Sequence, residues 1–164
     1  MKRILLVLVM AACSSDTDLG GTYMVTADVS SSPCGTDAPV TPSPAYLSFT
    51  KSDAFGATIW SYEICSDAAA TSCDSNSGIF GGFSEPSDNG WKGVETGDSF
   101  SGTECYLFYS HRTAILTGKM LVIDSNDYTD MPALDEAHCT TDEAEKRGAT
   151  MPCMMHERIE ATKL

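Results

Sequence analysis

Alternation of apolar and polar residues is what most limits the folds open to this chain. Thr58-Ile-Trp-Ser-Tyr-Glu-Ile-Cys65 sets Trp60, Tyr62 and Ile64 against Ser61 and Glu63, and Thr22 to Val29 places Tyr23, Val25, Ala27 and Val29 at alternate positions. A period of two is that of a half-buried strand, whose successive side chains point to opposite faces. Ala45 to Thr50 repeats the pattern, and Glu104 to His111 and Thr113 to Asp124 predict two further strands, with Gly118 marking a bulge. Ser30 to Pro44 reads as a loop, because its four prolines donate nothing to a sheet ladder. Asp67 to Gly102 is rich in Gly, Ser, Asp and Asn, with apolar islands at Ile79-Phe80, Phe83, Trp91 and Phe100, and predicts short strands joined by long turns. Within it Asp88-Asn89-Gly90 is a tight hairpin signal, since Asn-Gly accepts the positive φ that such a turn needs.

Near the end the pattern changes. Thr140-Thr-Asp-Glu143 fits a capping box, Lys146-Arg147 suits the negative end of a helix, and Gly148 ends it, so a helix of barely two turns is expected. Pro152 prevents its continuation, and Met154 to Leu164 reads as either a last strand or a frayed end. Seven or eight short sequential strands predict a mainly β fold, an antiparallel meander that is barrel-like or partly open rather than a Greek-key sandwich, with a short helix near the C-terminus.

The first 13 residues are of another kind. Lys2 and Arg3 precede nine uncharged residues, Ile4 to Ala12, far fewer than the ~20 that a spanning helix needs. A positive start, a short apolar run and small residues at its end describe an export signal; the alternative, a first buried strand over Ile4 to Met10, accounts less well for both flanks. Met10-Ala11-Ala12-Cys13 resembles the lipobox of bacterial lipoproteins, with Met10 where Leu is usual. That resemblance implies cleavage before Cys13, a diacylglycerol thioether on its sulfur, an acylated (palmitate-type) amino terminus and a place in the cell envelope. Ser14, rather than Asp, then implies the outer membrane if the source is Gram-negative. The expected organisation is residues 1–12 as signal peptide, 13–20 as a lipidated tether with Gly20-Gly21 as its joint, and 21–164 as one β-rich domain.

Loss of residues 1–12 leaves eight Lys/Arg against 23 Asp/Glu, a net charge of −15. Such an excess repels nucleic acid and an anionic membrane face alike and argues for a solvated surface, with a basic partner or a divalent cation as the other outlets. With Cys13 given to lipid, Cys34, Cys65, Cys73, Cys105, Cys139 and Cys153 form an even set, which in an oxidising compartment reads as three disulfides. Six cysteines allow 15 pairings; short loops favour Cys65 with Cys73 and Cys139 with Cys153, leaving Cys34 with Cys105.

Candidate chemistry is sparse. Gly97-Asp-Ser99 resembles the triplet around the nucleophile of two serine hydrolase classes, but Phe100 follows it and the nearest histidine, His111, lies downstream. Cys153-Met-Met-His156 and His138-Cys139 hold soft ligands that suit copper(I) or zinc, unless both cysteines are oxidised. Asp124 to Asp130, with Asp135, departs from an EF-hand loop at Tyr128 and Thr129 and reads as an acidic turn. No catalytic residue, metal ligand or cofactor is assigned, and a non-enzymatic envelope module, binding another envelope protein or acting structurally, is the expected function. The alternative is a carrier: Gly21-Thr22-Tyr23 resembles the Gly-x-Trp opening of lipocalin-type barrels, with Tyr for Trp. That resemblance implies a small apolar ligand held among Tyr23, Trp60, Tyr62, Phe80, Phe83, Trp91, Tyr106 and Phe108.

Overall fold

A computed structural model describes residues 17–40, 45–54, 56–74 and 82–164. The signal segment, Cys13, Ile79-Phe80 and the prolines at 42 and 44 lie outside the described residues. The alternating segments become ten strands: β1 (Gly21–Ser31), β2 (Ala38–Pro39), β3 (Tyr46–Ala54), β4 (Ala57–Cys65), β5 (Cys73–Asp74), β6 (Glu85–Ser87), β7 (Gly90–Ser101), β8 (Glu104–Thr117), β9 (Met120–Asp130) and β10 (Cys153–Lys163). They form one sheet in the order β5-β4-β3-β1-β10-β9-β8-β7-β6, with β2 paired to β1. Every pairing is antiparallel. The meander is therefore as expected, with one addition: the first long strand lies beside the last, in the middle of the sheet.

The sheet curls into a half-barrel, and its flanks meet at one point. Trp60 of β4 and Phe83, just ahead of β6, exchange backbone hydrogen bonds of 2.9 and 2.8 Å, and the Ser84 N–H donates to the Lys92 carbonyl of β7 at 2.9 Å. Gly93 permits this approach. A Cβ there would stand 2.2 Å from the Gly82 carbonyl oxygen, so no side chain fits.

Connections alternate between two ends. The base holds the start of β1, the β3–β4, β6–β7 and β8–β9 turns and the end of β10; the rim holds the connections that follow β1, β4, β7 and β9. Asn89 (φ 59°) makes the expected turn between β6 and β7. Gly118 (φ 62°) makes a turn as well, where a bulge was expected, and β8 and β9 meet there. Asp124 to Asp130 is accordingly strand and not an acidic turn. Gly90 to Ser101 is one 12-residue strand, not several short ones, because its whole length is in register with β8 and that pairing overrides the weak strand propensity of Gly, Ser and Asp. Ser30, Ser31, Ala38 and Pro39, placed in a loop by their composition, belong to β1 and β2.

The inside of the base is filled. Tyr23, Leu47, Phe49, Trp60, Phe83, Trp91, Ala114, Leu121, Ile123, Ile159 and Ala161 form one core, drawn from both flanks of the sheet. Phe49 stacks on Tyr62 at 5.2 Å between ring centroids and meets Tyr23 edge-on at 5.6 Å, and Trp60 meets Trp91 at 6.4 Å. Full burial of one such side chain contributes about 1.5–3 kcal/mol. Leu19, fully buried, closes this core from below. The Tyr23 hydroxyl donates to the Leu19 carbonyl at 2.8 Å and the Trp91 indole N–H to the Thr17 carbonyl at 2.6 Å. Burial, and then the nearby Asp18 carboxylate, push the Tyr23 pKa up to about 12. Thr17 to Gly20, the described part of the segment expected as a tether, thus pack against the domain: an apolar residue in a short polar run finds a pocket that periodicity does not reveal.

A second, smaller core lies outside the curl at the rim. The α-helix α1 (Thr141–Arg147) and the 3-10 turn Gly148–Thr150 cover it, with Ala144 and Met151 against Cys105, Leu107, Phe100 and Tyr109. The predicted cap is present: the Thr140 side chain accepts from the Glu143 N–H, and the helix ends at Gly148. Arg147 ties the helix to the sheet, 2.7 Å from Asp130 and 2.9 Å from Glu143.

The six cysteines form Cys34–Cys153, Cys65–Cys73 and Cys105–Cys139. The short β4–β5 loop closes as expected, but Cys139–Cys153 and Cys34–Cys105 do not form. Register explains the change. Ser31 opposite His156 brings Cys34 to Cys153, whose backbones also share a hydrogen bond, and the segment leading from β9 into α1 lays Cys139 against Cys105 on the outer face of β8.

Candidate functional site

A bulge in β1 adds a carboxylate to the side chains that enter the curl above the apolar core. In β1 the pairing with β10 slips between Val25 and Ala27, and in β10 the pairing with β9 slips between Cys153 and Met155. Each slip adds one residue to its strand, and every side chain beyond it changes face. Tyr23 and Val25 therefore face the core, but Ala27 and Val29 face outward, contrary to an uninterrupted alternation. Asp28, opposite Ile159, is turned inward by the β1 slip, while Glu157, opposite Ser125, shares the inner face of Ile159 and Ala161 because the β10 slip lies on its rim side.

The same face of the neighbouring strands carries Glu95, Ser110, Arg112 and Asp127. The Ser110 hydroxyl, fully buried, donates to the Asp127 carboxylate at 2.6 Å. Arg112 reaches Glu95 at 3.4 Å. Burial pushes the Glu157 carboxyl above its usual range, and the Asp28 and Asp127 carboxylates push it further, against the pull of Arg112 and His156. Burial likewise raises Asp28, whose Oδ1 is shielded from solvent with no hydrogen-bond partner. Tyr62, at the upper edge of the aromatic core, is raised by burial and by Glu157. One guanidinium thus faces four carboxylates in a partly desolvated space.

A groove of about 460 Å³ opens from this ring toward the rim, lined by Glu95, Gly97, Ser99, Tyr106, Phe108 and Arg112 together with Asp98. The register sets Gly97 opposite Phe108 and Ser99 opposite Tyr106, so two aromatic rings lie side by side on β8 while β7 offers only a glycine and a hydroxyl. A Cβ on Gly97 would meet nothing within 4 Å. The result is a slot with an aromatic wall and, at its inner end, the Glu95–Arg112 pair and the acidic ring. Such a shape accepts a flat or apolar body and favours a positive charge, through carboxylates and ring faces alike.

The expected chemistry is dispersed. Ser99 lines the slot, but His111 lies on the opposite face of β8, opposite Val94. The sulfurs of Cys153 and Cys139 are spent in disulfides. His138 pairs with Asp135 at 2.5 Å on the surface. His156 stands on the outer face, 2.8 Å from Asp37 and 3.3 Å from Asp124, and hydrogen bonding to Asp37, then to Asp124, raises its pKa. Among the described residues no group of three or more His, Cys, Asp or Glu side chains is arranged to hold a metal ion. Of the aromatic residues expected around a ligand, Tyr23, Trp60, Phe83 and Trp91 fill the core, Tyr62 lies at its edge, Tyr106 and Phe108 line the slot, and Phe80 is outside the described residues. Asp28, Glu95, Arg112, Asp127 and Glu157 escape sequence reading, because a bulge has no residue signature and an isolated charge in an alternating strand looks solvated. No family model, no curated protein and no solved structure matches the chain.

Proposed function

We propose that the chain is a lipid-anchored, non-enzymatic binding module of a bacterial envelope, whose β domain takes a small organic cation with an apolar body into the slot between β7 and β8. One observation carries this reading: Tyr106 and Phe108 form an aromatic wall that ends on Glu95, Arg112 and the inward-facing Asp28, Asp127 and Glu157. The volume is that of small-molecule sites, which run from about 300 to 1,000 Å³. The anchoring half rests on the lipobox resemblance at Met10 to Cys13 and on an even set of disulfide-bonded cysteines once Cys13 is set apart. A carrier of an uncharged apolar ligand has less support, because the aromatic residues of the base contact one another.

A matched pair of probes tests the ligand class. Phenethylammonium and phenylacetate have similar size and opposite charge, so amide chemical-shift changes on titration with each compare charge alone. The cation is expected to perturb Gly97, Tyr106 and Phe108, with Phe108→Ala weakening it about tenfold through loss of a ring contact. Equal binding of the anion, or shift changes confined to other strands, refutes the assignment. The anchor is tested separately, by the mass of the amino-terminal peptide recovered from the host membrane.

A further inference from the structure

The base of the half-barrel differs in charge from the rest of the molecule. Lys51 near the end of β3, Lys92 near the start of β7, Lys119 in the β8–β9 turn and Lys163 at the end of β10 all lie toward it. None of these four is ion-paired among the described residues, whereas Arg112, Lys146, Arg147 and Arg158 each sit against a carboxylate. Asp18, Asp53, Glu85, Asp88 and Glu160 share the base, so that end is close to neutral, and 17 of the described carboxylates stand elsewhere against four cations. Two exposed methionines flank the lysines on the outer wall: Met24 and Met120 both lie opposite Thr162, on either side of β10.

The chain enters from the same end. Thr17 is fixed beneath the core by its bond to Trp91, only four residues beyond Cys13, and four extended residues span about 14 Å at most. Resting on the anchoring reading given above, we infer that the base is a membrane-docking face: Lys119 and Lys163, with Met24 and Met120, sit against the anionic headgroups of the bilayer that holds the lipid. The acidic remainder is repelled by the same surface, which fixes the orientation, and the slot between β7 and β8 opens away from the membrane. Methionine is suited to the contact, being apolar and adaptable without needing a shaped pocket.

Native methionines report the orientation without any substitution. Met24 and Met154 are almost equally exposed in the free domain, at 44% and 47%, and Met120 and Met131 are at 55% and 71%. Met24 and Met120 lie at the base, whereas Met131 follows β9 at the rim and Met154 starts β10 there. The full lipoprotein, recovered from its host and placed in phosphatidylethanolamine–phosphatidylglycerol vesicles, is exposed to dilute peroxide, and sulfoxide formation at each methionine is followed by peptide mass spectrometry. Docking predicts that Met24 and Met120 oxidise at least about threefold more slowly than Met154 and Met131. It predicts too that Lys51→Glu with Lys119→Glu, both exposed sites, abolishes the difference. Equal rates at Met24 and Met154, or slower oxidation at Met131, overturns the orientation, and protection that survives both substitutions overturns the role of the lysines. The amino-terminal peptide from the same digest reads acylation: an acylated Cys13 with equal rates defeats docking alone, and a bare Cys13 defeats the anchor on which docking rests.

Discussion

The two halves of the curl are built from the same strands and do opposite things. At the base β1, β3, β4, β7, β8, β9 and β10 each send apolar side chains inward, and the space is closed by Leu19 and filled with rings. Toward the rim five of these strands, β1, β7, β8, β9 and β10, send in Asp28, Glu95, Ser110, Arg112, Asp127 and Glu157. The division lies along the strands rather than between them: Glu95, Arg112, Asp127 and Glu157 continue the inward rows of Trp91, Ala114, Ile123 and Ile159, and the bulge in β1 adds Asp28 just where the core stops. A sheet can thus combine a stable plug with a wet, charged recess, and the recess costs stability that the plug and the disulfides supply.

The sharpest way to break this contrast is to hollow the base. Phe83→Ala removes a fully buried ring from the point where the flanks of the sheet meet, and should cost about 3–5 kcal/mol in urea unfolding. A loss under 1 kcal/mol would mean that the base is not the stabilising half. Next in size is the rim staple. Replacing Cys34 and Cys153 by Ala opens a closure of 119 residues and should cost about 2–5 kcal/mol, while leaving the base core and the Trp91 fluorescence unchanged. Thr140→Ala should cost about 1 kcal/mol, seen as early loss of protection in hydrogen exchange over α1, because the Glu143 N–H loses its acceptor.

The smallest effect has the opposite sign and sharpens the comparison most. Glu157 and Asp28 have raised pKa values in the fold, so their ionised forms destabilise it. The penalty is full above the raised folded values and fades as pH falls through them toward the unfolded values of 4.5 and 3.8. Glu157→Gln should raise Tm at pH 7 by ~1–3 °C, and the gain should vanish by about pH 4. His156 works the other way on the outer face. Its raised pKa gives stability that is complete below the unfolded value of 6.5 and is lost as pH rises through the folded value, so His156→Gln should cost more at pH 6 than at pH 9. Calorimetric scans of both variants across this range check the two signs together.

Local signals carried much of the fold. Thr140, Glu143 and Gly148 bound the helix as their chemistry dictates, Asn89-Gly90 marks its hairpin, and Trp60, Tyr62 and Ile64 alternate in one strand. Non-local geometry was not legible. The residue inserted at Thr26 looks like any other in a strand, yet it reverses every face of β1 beyond it, so the inward turn of Asp28 was invisible, while Glu95, Arg112, Asp127 and Glu157 looked like solvated charges. Gly93 and Gly97 read as turn formers because their partners, the Gly82 backbone and Phe108, are set by pairing. Two of the three disulfide pairings differ for a related reason: short loops favour closure in an unfolded chain, whereas in the fold Cys34 and Cys153 meet because β1 and β10 are neighbours.

That neighbourhood bears on how the molecule comes into being. The seam between β1 and β10 joins segments far apart in sequence, so β1 has no partner on that side until the eleven residues of β10 have been delivered. Pairings this distant in sequence make for slow assembly. A polypeptide delivered from its amino end therefore keeps its centre unzipped and pliable, and locks only once β10 arrives.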